Sequence, residues 1–187
     1  MTVTTARKMT FEEYLTYDDG TDKLYEFNDG ELVEVTPATG FHNDLMMFFA
    51  FFLQTEIKRF QYPYCVRVNS TEIFNGKRTR RPDVLVMTLD QRESLKSKPD
   101  ILREACPLVI EIVSPTCRSV DTVEKREEYA QFGISEYWIV DFLLETFTVL
   151  NLVNGVYIEK VYRESDHIIS NVFPEISLTM SQVLESV

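Results

Sequence analysis

The chain carries its apolar residues in two rhythms. One is a single long stretch, "FHNDLMMFFAFFLQTEIKRF" (41–60), apolar around most of a helical circumference and long enough for about five turns. It predicts a helix buried on two sides, by a sheet and by a partner subunit. The other rhythm is a set of short runs, "DVLVM" (83–87), "PLVIEIV" (107–113) and "EYWIVD" (136–141), apolar on both parities as in strands covered on both faces. Turn residues divide the rest. "KLYEFNDGELVEVTP" reads as a hairpin about "NDG", and "TFTVLNL" and "VYIEKVY" as two strands about Asn154-Gly155. "YCVRVNSTEIF" reads as one or two strands, "NGKRTRRP" (75–82) as a polar turn, and 90–105 as charged and irregular or weakly helical.

Three further helices are signalled at their ends. Thr10 with Glu13 forms a capping-box pattern ahead of "FEEYLTY". "DTVEKREEYAQFG" has Asp121 as an N-cap, Glu124 three positions on and Gly133 as the stop. "TMSQVLESV" closes the chain. The order of elements predicts an α/β fold, a mixed sheet flanked by helices, within one domain over residues 1–187.

Composition narrows the function. An apolar fraction of 44% and a charged fraction of 26% fit a folded globular chain and argue against disorder. A net charge of -11 argues against a general nucleic-acid coat or a membrane-surface protein. It leaves room for a local basic groove or for carboxylates neutralised by metal. Cys65, Cys106 and Cys117 lack C-x-x-C spacing and read as reduced thiols, two of them in the core. The start "MTVTTARKMTFEEYL" has no apolar signal core, and "LMMFFAFFL" is too short to span a bilayer, so the expectation is a cytoplasmic protein with no membrane partner.

One residue breaks the apolar pattern: Glu111 stands inside "PLVIEIV", where an unpaired carboxylate is costly. Asp83 opens the neighbouring run after Pro82. If the two strands are adjacent, both acids project at one sheet edge, where mutual repulsion raises their pKa and a divalent cation relieves it. Hard oxygen ligands suit Mg²⁺ or Mn²⁺, and a nearby lysine would complete a phosphodiester-cleaving site. The plain alternative is a turn role for Asp83, an ion pair from Glu111 to Arg81 or Arg118, and a solvated Lys125. The cluster Lys77, Arg78, Arg80 and Arg81 ahead of Asp83 reads equally as a solvated hairpin tip or as a phosphate contact. His42 begins the long helix and could serve substrate, metal or structure. Glu34 could face the site as a supporting acid. Trp138 reads as packing.

The segments "RPDVLV", "PLVIEIVSPT" and "SVDTVEKREEYAQFGISEYWIVD" closely resemble a bacterial family described as putative restriction endonucleases, within the PD-(D/E)XK nuclease superfamily. "LYEFNDGELVEVTPAT" followed by His42 extends the likeness, which covers roughly residues 10–145 and is most specific over 110–141. The resemblance implies a restriction endonuclease-like core, with strands and a short helix over 146–187 completing it. It implies a metal-dependent DNA endonuclease, with Asp83 and Glu111 as metal ligands, Lys125 as catalytic lysine and Glu26 as the acid preceding the core. One departure stands out. The superfamily places lysine two residues after the second acid, where this chain has Val113. Asp121, Lys125 and Tyr129 share a helix stripe at i, i+4, i+8, from which Lys125 can reach the centre instead. On this reading the partners are DNA and a second copy of the chain. The rival is a catalytically silent protein on the same fold, acting as a nucleic-acid or protein binding module.

Overall fold

The computed structural model describes residues 8–114 and 118–187; Cys117 lies outside them. In chain order the elements are α1 (Phe11–Tyr14), β1 (Tyr25–Asn28), β2 (Glu31–Glu34), α2 (Gly40–Phe60), β3 (Tyr64–Val68), β4 (Glu72–Phe74), β5 (Thr79–Arg80), β6 (Val84–Thr88), α3 (Leu89–Leu95), β7 (Ile101–Leu102) and β8 (Leu108–Ile112). A π-helical turn, Val120–Glu124, then runs directly into α4 (Lys125–Phe132). β9 (Glu136–Asp141), β10 (Thr146–Val153), β11 (Val156–Arg163) and α5 (Met180–Leu184) follow.

Six strands form the central sheet in the order β11-β10-β9-β8-β6-β3. β8 and β9 run parallel and every other neighbouring pair is antiparallel. A parallel pair needs a crossover, which the π turn and α4 supply. The mixed sheet flanked by helices is the fold class the apolar pattern predicts.

Strand parity sorts the core into two layers. Val84, Val86, Leu108, Ile110, Ile112, Trp138 and Val140 pack with Leu45, Phe49 and Leu53 of α2. Leu85, Met87, Val109, Val113, Tyr137 and Ile139 pack on the other face with Tyr129 of α4. Side chains alternate along a strand, so Glu111 belongs to the layer of Val109 and Val113, under α4.

Local chemistry fixes the turns and ends. Asp29 and Gly30 (φ 48° and 91°) join β1 to β2, and Asn154 and Gly155 (φ 52° and 80°) join β10 to β11. Both pairs have the left-handed dihedrals of a type I′ hairpin. Thr39 caps α2 by accepting the His42 N–H at 3.2 Å, which anchors His42 in the helix's first turn. Gly133 (φ 93°) ends α4.

Several expectations change. Thr79 and Arg80 are not part of a polar turn; they pair with Phe74 and Ile73 as a short strand. Over 90–105 the weakly helical alternative holds in α3 (Leu89–Leu95), opened by a Thr88–Gln91 capping box, while β7, which joins β4 in parallel, was not expected. Asp121 is not an N-cap, because helical backbone is already present at Arg118 and Ser119. Met47 and Phe51 of α2 are 47% and 69% exposed, so this chain buries only one side of that helix. Among the described residues, no helix is long and apolar enough to cross a membrane.

Candidate active site

The antiparallel register of β6 and β8 pairs Val84 with Ile110. One step further along the same ladder, Asp83 lies opposite Glu111. The Asp83 carboxylate bridges two elements: Oδ2 accepts the Ile112 N–H at 2.7 Å, and Oδ1 lies 3.0 Å from His42 Nε2. Glu111 is 2% exposed and is engaged by both oxygens. Oε1 accepts the Tyr129 hydroxyl at 2.7 Å, and Oε2 lies 2.8 Å from Lys125 Nζ. The same ammonium lies 2.8 Å from Asp121 Oδ1.

The expected stripe of Asp121, Lys125 and Tyr129 therefore turns toward Glu111. The π turn carries Asp121, and Lys125 is the first residue of regular helix after it. Such wide turns recur where a helix must re-aim side chains. The alternative ion pairs for Glu111 do not form. Arg81 is bound to Glu72, and Arg118 to Asp141.

Electrostatics follow from placing three acids around one ammonium. Burial pushes Glu111 up to about 8, with Asp83 and Asp121 adding to the rise and Lys125 opposing it. Burial also raises Asp121, again against Lys125. Burial lowers Lys125, but Glu111, Asp121 and Asp83 outweigh it and raise the ammonium above its ordinary value. The Tyr129 phenol is raised by burial and then by Glu111, which keeps it a donor. Among the described residues, no three His, Cys, Asp or Glu side chains form a preassembled metal cage. Lys125 lies between two of the acids.

The remaining expected residues divide. Glu26 braces the approach to Asp83: its Oε1 accepts the Arg81 N–H at 2.8 Å and its Oε2 lies 3.5 Å from Arg80. Glu34 does not face the centre; it is exposed and pairs with Lys23 at 2.8 Å. The basic cluster is largely matched by acids. Arg78 and Arg80 both donate to Glu128, at 2.5 and 2.7 Å, and Arg81 donates to Glu72 at 2.5 Å. Lys77 stands exposed at the β4–β5 turn. Glu128 and Glu72 escaped the sequence reading. Glu128 falls one turn beyond Glu124 on α4, a spacing visible in the sequence, but its arginine partners lie 48 and 50 residues away.

A family model, Uma2, described as "Putative restriction endonuclease", matches residues 11–181. The fold is similar to the crystal structure of a putative nuclease from Anabaena variabilis, with a TM-score of 0.78 over 95% of this chain and 98% of that one. Identity between the two is 16%, so the likeness speaks to fold. No curated protein matches.

Proposed function

We propose that this chain, which belongs to the Uma2 family of "putative restriction endonucleases", cleaves DNA as a divalent-metal-dependent endonuclease. Family membership and a nuclease-fold neighbour support a nuclease. The observation that carries the finer reading is the group formed by buried Glu111 and Asp121 with the partly exposed Asp83 and Lys125.

Three carboxylates stand against one ammonium, and Glu111 is pushed up to about 8 by burial and by its acidic neighbours. That excess of negative charge, presented on hard oxygen donors, fits Mg²⁺ or Mn²⁺. Asp83 and Glu111 would hold the ion, with water and substrate oxygens completing its coordination. When bound, the ion supplies Lewis acidity that makes water a nucleophile near neutral pH and offsets charge on the leaving oxygen.

The chain's own residues do the rest. Lys125 brings a fixed positive charge to the phosphoryl oxygens as negative charge builds there. Asp121 holds that ammonium in place from the π turn. Tyr129 orients Glu111, and His42 with the Ile112 N–H orients Asp83. Each acid is thus gripped on at least one oxygen, which fixes the geometry before substrate arrives. Glu26 supports the same edge through Arg80 and Arg81. DNA is the substrate on this reading, the exposed Lys77 is a basic contact for it, and two copies act together through α2. The chain acts as one domain, since β10 and β11 extend the sheet that carries Glu111.

The test is cleavage of supercoiled and single-stranded circular DNA with Mg²⁺ or Mn²⁺. Asp83→Asn keeps the shape that accepts the Ile112 N–H, so it should remain folded and lose cleavage. Lys125→Ala should lose roughly 2–4 kcal/mol of transition-state stabilisation, the scale of one electrostatic donor, while calorimetry shows metal affinity little changed. Wild-type cleavage by either folded variant overturns the assignment. Metal binding without cleavage of any substrate would favour the silent binding module.

A further inference from the structure

The π turn ahead of Lys125 leaves one backbone group to be accounted for. In a regular α-helix the Lys125 N–H would donate to the carbonyl of Asp121, four residues back. Here it donates to the carbonyl of Val120, five residues back. The Asp121 carbonyl instead accepts the Tyr137 hydroxyl at 2.8 Å, and both residues are buried. A buried carbonyl without a donor is costly. The wide turn therefore stands only while an outside donor meets that carbonyl. Without one, the Lys125 N–H is drawn back to Asp121 and the turn closes to α-helix.

Tyr137 is placed to decide between the two arrangements. It stands on β9 opposite Val109 of β8, on the face that also carries Glu111 and lies under α4. Its ring meets that of Tyr129 edge-on, with centroids 5.1 Å apart at 84°. Burial first, and then Glu111, Asp121 and Asp83, raises its phenol well above the ordinary value, so the hydroxyl stays a donor. Tyr157 gives the contrast. Its hydroxyl also donates to a buried backbone carbonyl, that of Ile134 at 2.8 Å, but past the far end of α4.

We propose that Tyr137 is a positioning residue for the centre: its hydroxyl holds the π turn open, and the open turn sets the angle at which Asp121 and Lys125 meet. The inference rests on the nuclease reading for what Lys125 does, and on the hydrogen bonds alone for how Lys125 is held. Asp121 lies in the widened turn and Lys125 directly after it, so closing the turn rotates one against the other. The ammonium would then lose one of its two carboxylates, Glu111 and Asp121, each 2.8 Å away. Its charge would remain, but its place would not.

The test compares Tyr137→Phe with Tyr157→Phe in the full chain; each keeps its ring and loses one hydroxyl. In EDTA the wild-type Lys125 ammonium, held between two carboxylates, should give a slowly exchanging proton–nitrogen NMR signal. Tyr137→Phe should lose that signal and Tyr157→Phe should keep it. With Mg²⁺ or Mn²⁺, Tyr137→Phe should lower kcat for DNA cleavage about tenfold to a hundredfold and leave KM within about twofold, as a displaced catalytic group does. In a Lys125→Ala background the same substitution should change kcat by less than about twofold, because the group it positions is gone. Tyr157→Phe should cleave as the wild type does. An ammonium signal absent from the wild type or retained in Tyr137→Phe, additive losses in the double variant, or an equal loss of kcat in Tyr157→Phe overturns the proposal. So does a Tyr137→Phe chain that fails to fold where Tyr157→Phe folds, since the hydroxyl would then support the fold itself. Failure of the nuclease reading looks different: the wild type would cleave nothing with any metal, while Tyr137→Phe still lost the ammonium signal.

Discussion

Glu111 is a carboxylate that the fold buries beside two others, and this gives stability a pH dependence of definite sign. Burial first, then Asp83 and Asp121, raises its pKa from 4.5 to about 8. Between those values the unfolded chain has released the proton while the folded chain retains it. Stability from this group is present below about 4.5 and is lost as pH rises through about 8, by up to about 1.4 kcal/mol per pH unit. Glu111→Gln removes the ionisation. In EDTA, its melting temperature relative to wild type should climb steadily from about pH 5 to about pH 8. A constant difference across that range would show that Glu111 does not titrate there. Mg²⁺ at the upper end should stabilise the wild type and leave the variant unmoved, since only a bound ligand shifts the equilibrium. The same layer explains Val113. It is 0% exposed within the cluster of Val109, Tyr129 and Ile139, so a lysine there would carry its stem and charge into packed core. A lysine delivered from α4 reaches Glu111 from the rim, where Lys125 retains 12% side-chain exposure.

At the scale of elements, what was legible in the sequence is what is decided locally. The Thr10–Glu13 capping box, the Asp29-Gly30 turn and the Gly133 stop each depend on residues a few positions apart, and each forms as expected. Two buried apolar runs were legible as strands, but their adjacency entered only as a condition; the β6–β8 pairing meets it and brings Asp83 and Glu111 together. The π turn was not legible, because its cause is tertiary: Asp121 and Lys125 must meet a carboxylate on another element. Nor was β5, whose two polar residues become a strand only because Ile73 and Phe74 offer them a ladder. The arginines of that strand illustrate the same limit. A run of basic residues suggests a free phosphate contact, yet α4 presents Glu128 to Arg78 and Arg80. Burial raises Glu128, but the two arginines outweigh it and hold it ionised below the usual range. Glu128→Ala should loosen both guanidinium groups, leaving Arg78 to Asn28 and Glu124, and Arg80 to Glu26 and Glu124. If β5 lies along the DNA path, affinity rises and its salt dependence steepens by up to about two units, at about 0.9 for each new phosphate contact. An unchanged slope, with a lower melting temperature, would make the cluster a brace between β5 and α4.

For the molecule as a whole, the open question is what covers α2. Its buried face fills the sheet's core, while Met47 and Phe51 stand exposed beside Phe48 and Phe52. Together with Val187, past the end of α5, they line a groove of about 600 Å³. Exposed apolar clusters of this kind mark contact surfaces. On the proposed reading, a second copy is the occupant that would also serve the chemistry. His42, on the same helix, reaches Asp83, and Phe51 lies nine residues on, about 14 Å along the axis. A dimer built on α2 would hold two centres in fixed relation, one for each strand of a duplex. Charge sets a condition on this association. Each copy carries -11, so the copies repel at low ionic strength and the apolar contact should strengthen as salt screens them. Light scattering at micromolar concentration should report two chains for the wild type, more completely at higher salt, and one chain for Phe51→Asp. Phe51 is 69% exposed, so the substitution leaves the core packing intact. On supercoiled plasmid the monomeric variant should produce nicked circles where the wild type produces linear DNA, because each centre still cuts but the two cuts are no longer coordinated. A wild type that is monomeric at every salt concentration, or a Phe51→Asp variant that still linearises the plasmid, would assign the exposed face of α2 to something other than pairing two centres.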